Sequence, residues 1–161
     1  MRWGNAKFGE NLLAVVEHQN QTFTFDQPLD TLLAQGIPHH IHTAEDIKKL
    51  GGHSTDLTFN TLTFAAPVLK PGKILCIGLN YTDHAQEVGA QIPEYPTIFT
   101  KYSNALIGPT DPITLPKEST KIDWEAELCV VIGTQTRSVP ENQALNHALG
   151  YTVINDISVR D

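Results

Sequence analysis

Nowhere do apolar residues run unbroken for the roughly 18 positions that a membrane-spanning helix needs. The opening stretch Met1-Arg2-Trp3-Gly4-Asn5 also lacks the apolar segment of a secretory leader. These absences lead to the expectation of a cytoplasmic protein with no membrane partner. Cysteine is scarce. Cys76 and Cys129 each sit inside an apolar, strand-like run, which suits small buried thiols in a reducing compartment better than a disulfide framework. Positive charge is in short supply: 11 basic residues against 18 acidic ones leave a net charge of −7. No basic stripe is interleaved with aromatics, so no nucleic-acid partner is expected. An acidic protein that handles an anionic substrate needs a local positive centre, and a bound divalent cation would supply one. Low-complexity tracts are absent, and 40% hydrophobic with 18% charged residues describe a chain that folds around a core.

The stretch Asp123-Trp124-Glu125-Ala126-Glu127-Leu128-Cys129-Val130-Val131-Ile132-Gly133 organises the rest. Its apolar run is short, β-branched and ended by glycine, which favours a strand over a helix. On a strand, residues i and i+2 share a face about 6.6 Å apart, so Glu125 and Glu127 point the same way. Two carboxylates leading into so apolar a strand need a counter-charge, strong hydrogen bonds or a metal. Lys121 is the nearest basic residue in sequence but precedes the strand, and no nearby cation is expected to serve both acids. A hard divalent cation would. Oxygen-only ligation suits Mg²⁺ or Mn²⁺, with Ca²⁺ as a further candidate, whereas Zn²⁺ more usually recruits His or Cys. The alternative is an edge strand with a solvated acidic face.

Residues 1–66 read as a small separate amino-terminal unit. It begins with a hairpin of strands Leu12 to Glu17 and Thr22 to Phe25. A short helix over Pro28 to Gln35 ends at Gly36, and a second runs from Thr43, its candidate N-cap, to Leu50. His39, His40, His42 and His53 lie beside these helices without Cys or acidic spacing to make a metal site, and read as solvated. Ala65 to Gly72, with two prolines and a glycine, is the joint. The second unit, 67–161, opens with Ile74 to Leu79, which is apolar on both faces and implies a strand in a sheet interior. A helical turn stopped by Gly89 follows. His84 and Glu87 share one face of it, so Glu87 can fix the tautomer of His84 and make it an oriented base; a casual surface pair is the alternative. Pro96 to Tyr102 is a further strand, on which Lys101 either binds a carboxylate or snorkels at the strand end. Val139 to Leu149 shows helical spacing, and Tyr151 to Ile154 is the final strand. Asp156 at its end is either a third oxygen ligand or a helix N-cap, and a helix is expected to begin at Arg160-Asp161.

Three ordered blocks resemble the fumarylacetoacetate hydrolase family: Cys76-Ile77-Gly78-Leu79-Asn80-Tyr81 with His84 and Glu87, Glu125-Ala126-Glu127, and Gly150-Tyr151 through Asn155-Asp156-Ile157-Ser158-Val159-Arg160-Asp161. The resemblance implies an α+β fold, a mixed β-sandwich or roll of that family's type, incomplete here and preceded by the small α/β amino-terminal unit. It implies Mg²⁺ or Mn²⁺ on Glu125, Glu127 and Asp156, and a water-activating dyad of His84 and Glu87. Tyr81 and Lys101 are candidate contacts to a small anionic 2-oxo acid substrate, and a homodimer is implied for the full-length form. Ile77 stands where the fumarylacetoacetase branch has a further acidic ligand, which argues against fumarylacetoacetate itself. Family members continue past the last block, so the chain is expected to be an amino-terminal fragment ending midway through the catalytic domain, inactive and prone to associate. The implied activity is metal-dependent hydrolysis of a C–C bond in an acylpyruvate or related 1,3-dicarbonyl acid. Alternatives are decarboxylation or isomerisation of an oxo-diacid, such as oxaloacetate or an aromatic-degradation intermediate, and a non-catalytic truncated module.

Overall fold

The computed structural model describes all residues from 1 to 161. Its first sheet begins with β1 (Arg2–Phe8), β2 (Asn11–His18) and β3 (Gln21–Thr24). β1 is an element that the sequence pattern did not reveal. Gln19 and Asn20 both have positive φ, 50° and 62°, the conformation that a two-residue hairpin turn requires. After α1 (Leu29–Ala34), Gly36 takes the left-handed conformation at φ 70° and ends the helical path. α2 (Ala44–Lys49) is entered through a complete capping box: Thr43 accepts from the Asp46 N–H while Asp46 accepts from the Thr43 N–H. β4 (His53–Thr55) and β5 (Phe64–Ala65) complete a five-stranded antiparallel sheet in the order β4-β3-β2-β1-β5.

The main apolar core lies against this sheet. Phe23, Phe25, Leu29, Leu32, Ile41 and Ile47 pack with Ala14 and Val16, and a smaller cluster gathers Ala6, Val15 and Phe59 on the other face. One polar residue is fully buried among them. Asn5 donates to the carbonyls of Ala66 and Pro67 at 3.1 and 3.2 Å and accepts from the Leu29 N–H at 2.7 Å. Asp30 accepts from the N–H groups of Leu69 and Lys70, so the stretch after β5 is pinned by side chains rather than by a ladder.

The remainder consists of three two-stranded antiparallel pairings. β6 (Ile74–Gly78) leads into α3 (Thr82–Glu87) and pairs with β7 (Thr97–Lys101); β8 (Ile122–Asp123) pairs with β11 (Ser158–Val159); β9 (Ala126–Ile132) pairs with β10 (Ala148–Asn155). Two expectations are corrected here. β6 is covered on one face only, since Leu75 and Ile77 are exposed. The expected helix over Val139 to Leu149 is a 3-10 turn, Glu141–His147, because Ala148 already pairs with Ile132 and the strand continues through an irregularity before Gly150. Arg160 and Asp161 follow β11. No helix is long and apolar enough to cross a membrane.

Candidate active site

In the β9–β10 ladder Ile154 lies opposite Glu127, and Asn155 opposite Ala126. One further bond, from the Asp156 N–H to the Glu125 carbonyl at 2.9 Å, continues the pairing past the end of β10. Glu125, Glu127 and Asp156 therefore leave the backbone at one end of a single hairpin. Glu125, Glu127 and Cys129 are half-buried, while Ala126, Leu128 and Val130 are exposed, as the period of two requires. Cys76 of β6 reaches the same neighbourhood. Burial pushes its thiol up, and the charges of Asp156 and Glu127 add to this while Lys101 opposes it.

The loop between β6 and α3 also meets β9. Leu79 turns through the left-handed region at φ 51°, unfavourable for a leucine. The next two residues then touch the strand: Asn80 Nδ2 donates to Glu127 Oε2 at 3.3 Å, and the Leu128 N–H donates to the Tyr81 hydroxyl oxygen at 3.4 Å. Two cations face the acids. Lys101 Nζ is ion-paired with Asp156 Oδ1 and donates to the Ile157 carbonyl at 3.4 Å. The Arg160 guanidinium bridges Asp123, at 2.9 Å, and Glu125 Oε1. These hydrogen bonds, Glu125 first, push the Arg160 pKa further up and keep it charged. A cation therefore serves one of the two glutamates, Glu125, while Glu127 meets the neutral amide of Asn80. Arg160 stands 35 residues from Glu125 and is brought to it by the β8–β11 pairing, a juxtaposition that local sequence inspection does not register.

No three His, Cys, Asp or Glu side chains close around a common point; the carboxylates are turned toward Arg160, Lys101 and Asn80 instead. The donor chemistry nevertheless fits a hard divalent cation. In each of the three carboxylates one oxygen is held by an N–H donor, Glu125 Oε1, Glu127 Oε2 and Asp156 Oδ1, and the other is left for a ligand. His84 sits on α3 with its Nδ1 3.9 Å from Glu87 Oε2, beyond hydrogen-bond reach, so Glu87 does not fix its tautomer in this arrangement. His39, far away in sequence, bonds through Nε2 to the Gly133 carbonyl at 2.8 Å, at the end of β9. A groove of about 450 Å³ between Glu17, Thr22, Asp56 and Phe59 is open and polar, and holds none of these groups. Asn80, Asp123 and Arg160 were not singled out as site residues from sequence; the available signal was the charge balance, since four acids this close require partners.

Residues 73–161 match the family described as "Fumarylacetoacetate (FAA) hydrolase C-terminal". The chain belongs to the fumarylacetoacetate hydrolase family. The mitochondrial oxaloacetate tautomerase fahd2 of Xenopus laevis is 45% identical over 105 residues, which are 65% of this chain and 33% of that protein. Among solved structures, fumarylacetoacetate hydrolase from Exiguobacterium antarcticum superposes with a TM-score of 0.77 at 26% identity, covering 99% of this chain and 56% of that one. Maleylpyruvate hydrolase from Sphingobium sp. SYK-6, solved with manganese(II) and pyruvate, shares the fold with a TM-score of 0.73 at 24% identity, covering 99% of this chain and 60% of that one. The chain thus matches about a third of the length of the curated relatives and a little over half of the solved chains. The α+β expectation agrees with these neighbours, although the first sheet is antiparallel throughout. The cytoplasmic expectation is overturned: relatives from Xenopus laevis, Bos taurus and Homo sapiens are named as mitochondrial proteins.

Proposed function

We propose that the chain carries the divalent-metal and general-base part of an enzyme acting on small 2-oxo acids, and that keto–enol tautomerisation of an oxaloacetate-like oxo-diacid is its reaction. The observation that carries this reading is the three-carboxylate hairpin end, each acid keeping one free oxygen, in a chain 45% identical over 105 residues to a protein named oxaloacetate tautomerase. Glu125, Glu127 and Asp156 would hold Mg²⁺ or Mn²⁺. When bound, the metal supplies positive charge where negative charge develops on the substrate's oxygens. His84 takes the proton from the carbon beside the ketone and returns it to oxygen. Lys101 has three N–H donors; with Asp156 and Ile157 using two, the third is available to a substrate carboxylate. Tyr81 lines the same end of β9.

A second reading, hydrolysis of a C–C bond in an acylpyruvate, is favoured by the fold shared with maleylpyruvate hydrolase. It asks more of His84, which must deprotonate a water with Glu87 orienting it, and the 3.9 Å separation of that pair weighs against it. In both readings residues 67–161 belong to the catalytic domain, 1–66 form a separate unit, and the full-length form is a homodimer. The test is turnover of oxaloacetate, followed by loss of enol absorbance, beside cleavage of acylpyruvates. Cleavage without tautomerisation would reverse the order of the two readings.

A further inference from the structure

We propose that Arg160 and Asn80 are positioning residues for the carboxylate set: each holds one oxygen of a glutamate so that the other oxygen faces the metal. The inference rests on the metal reading above. Glu125 and Glu127 are long side chains with three rotatable bonds each, and on a strand nothing in the backbone directs their ends. Arg160 binds Glu125 through Oε1 alone, and Asn80 binds Glu127 through Oε2 alone. Both grips leave one oxygen of each carboxylate without a protein partner, which favours one-oxygen ligation over chelation. Lys101 does the same for Asp156 through Oδ1.

Each holder is itself fixed. Asp123 occupies the remaining face of the Arg160 guanidinium, accepting from Nε at 3.0 Å and from the terminal nitrogen at 2.9 Å. The Arg160 N–H donates to the carbonyl of Lys121, just before β8, at 3.0 Å. Asp123 also offsets the positive charge, so that Arg160 orients Glu125 without repelling an incoming cation by its full unit of charge. Asn80 is neutral and follows the left-handed turn at Leu79, which brings its amide to β9. Donors that orient a ligating carboxylate typically account for about 10- to 100-fold in metal affinity.

The test is calorimetric titration of the 161-residue chain with Mn²⁺, comparing wild type with Arg160→Gln, Arg160→Lys, Asn80→Ala and Glu127→Ala. The expected result is a 10- to 100-fold weaker Kd in Arg160→Gln and Asn80→Ala, with partial recovery in Arg160→Lys. The electron paramagnetic resonance spectrum of bound Mn²⁺ should also change in Arg160→Gln and Asn80→Ala while their thermal melting stays that of the wild type, a combination that a fold defect does not produce. Asn80 is exposed, so its variant keeps the test available if Arg160→Gln does not fold. Unchanged or tighter binding in both Arg160→Gln and Asn80→Ala, with binding lost in Glu127→Ala, would overturn the positioning role and leave the ligand set standing. Absence of Mn²⁺ binding in the wild type would overturn both.

Discussion

His84 stands partly exposed at the middle of a six-residue helix, with its Nδ1 3.9 Å from a glutamate that is itself largely in solvent. Neither burial nor a hydrogen bond holds the ring, so its role as base rests on where α3 presents it. His84→Ala should lower turnover by about 10² to 10⁴ while leaving the Mn²⁺ Kd within twofold. Glu87→Gln should change turnover far less, because the contact it removes is long. Steady-state kinetics beside calorimetry separates the two effects. Asn5 presents the opposite situation. Its amide is fully buried and serves four partners, among them the Leu29 N–H and two carbonyls at the joint. Asn5→Ala leaves those groups unsatisfied and should cost about 1–3 kcal/mol, read as a lower urea midpoint.

Among the elements, α2 shows how much a short helix depends on its ends. With six residues it is far below the length at which an isolated helix is stable, and it is sustained by the Thr43–Asp46 box and by Ile47, fully buried in the core. Thr43→Ala should destabilise the fold by about 1 kcal/mol. Hydrogen bonds from Thr43 first, then from the His42 N–H, hold the Asp46 carboxyl below the usual aspartate range. Lys7 and the Gly108 N–H act likewise on Asp111. A carboxyl depressed on folding stabilises the folded state fully above its unfolded value, and that contribution is lost as pH falls through the depressed one. Thermal melts should therefore show stability level at neutral pH and falling below about pH 4, with a smaller fall in Asp46→Asn. The sheet under α2 depends on packing instead: Leu32→Ala, at a fully buried position, should cost about 2–5 kcal/mol.

At the scale of the whole molecule the two halves are unlike. Both apolar core clusters draw on residues from 6 to 59, whereas the outer faces of β6, β7, β9 and β10 expose Leu75, Ile98, Leu128, Ile132, Tyr151 and Val153. Alternation explains the pattern. In β6, β9 and the outer part of β10 half-buried and exposed side chains alternate, whereas β7 is exposed at every position but Lys101. Surfaces of this kind favour association, so the chain should elute from a sizing column at a volume that depends on concentration. Val153, 76% exposed, is a suitable probe: Val153→Glu should reduce that dependence without altering the melting of the amino-terminal sheet.

The sequence by itself determined what short-range physics determines. The period of two placed Glu125 and Glu127 on one face, the Thr43 cap and following acids set the start of α2, and the glycines at 36 and 89 marked where helical paths end. The family was legible for the same reason, since its motifs are contiguous blocks. Tertiary structure alone decided which charges meet. Arg160 reaches Glu125, Lys101 reaches Asp156, and Asn80 reaches Glu127 only because segments 35 to 55 residues apart are brought to one end of β9. It likewise decided that Ala148 and Leu149 extend β10, against their helical spacing: the ladder partner Ile132 lies far from them in sequence, and a hydrogen-bonded strand overrides a propensity worth a few tenths of a kcal/mol per residue.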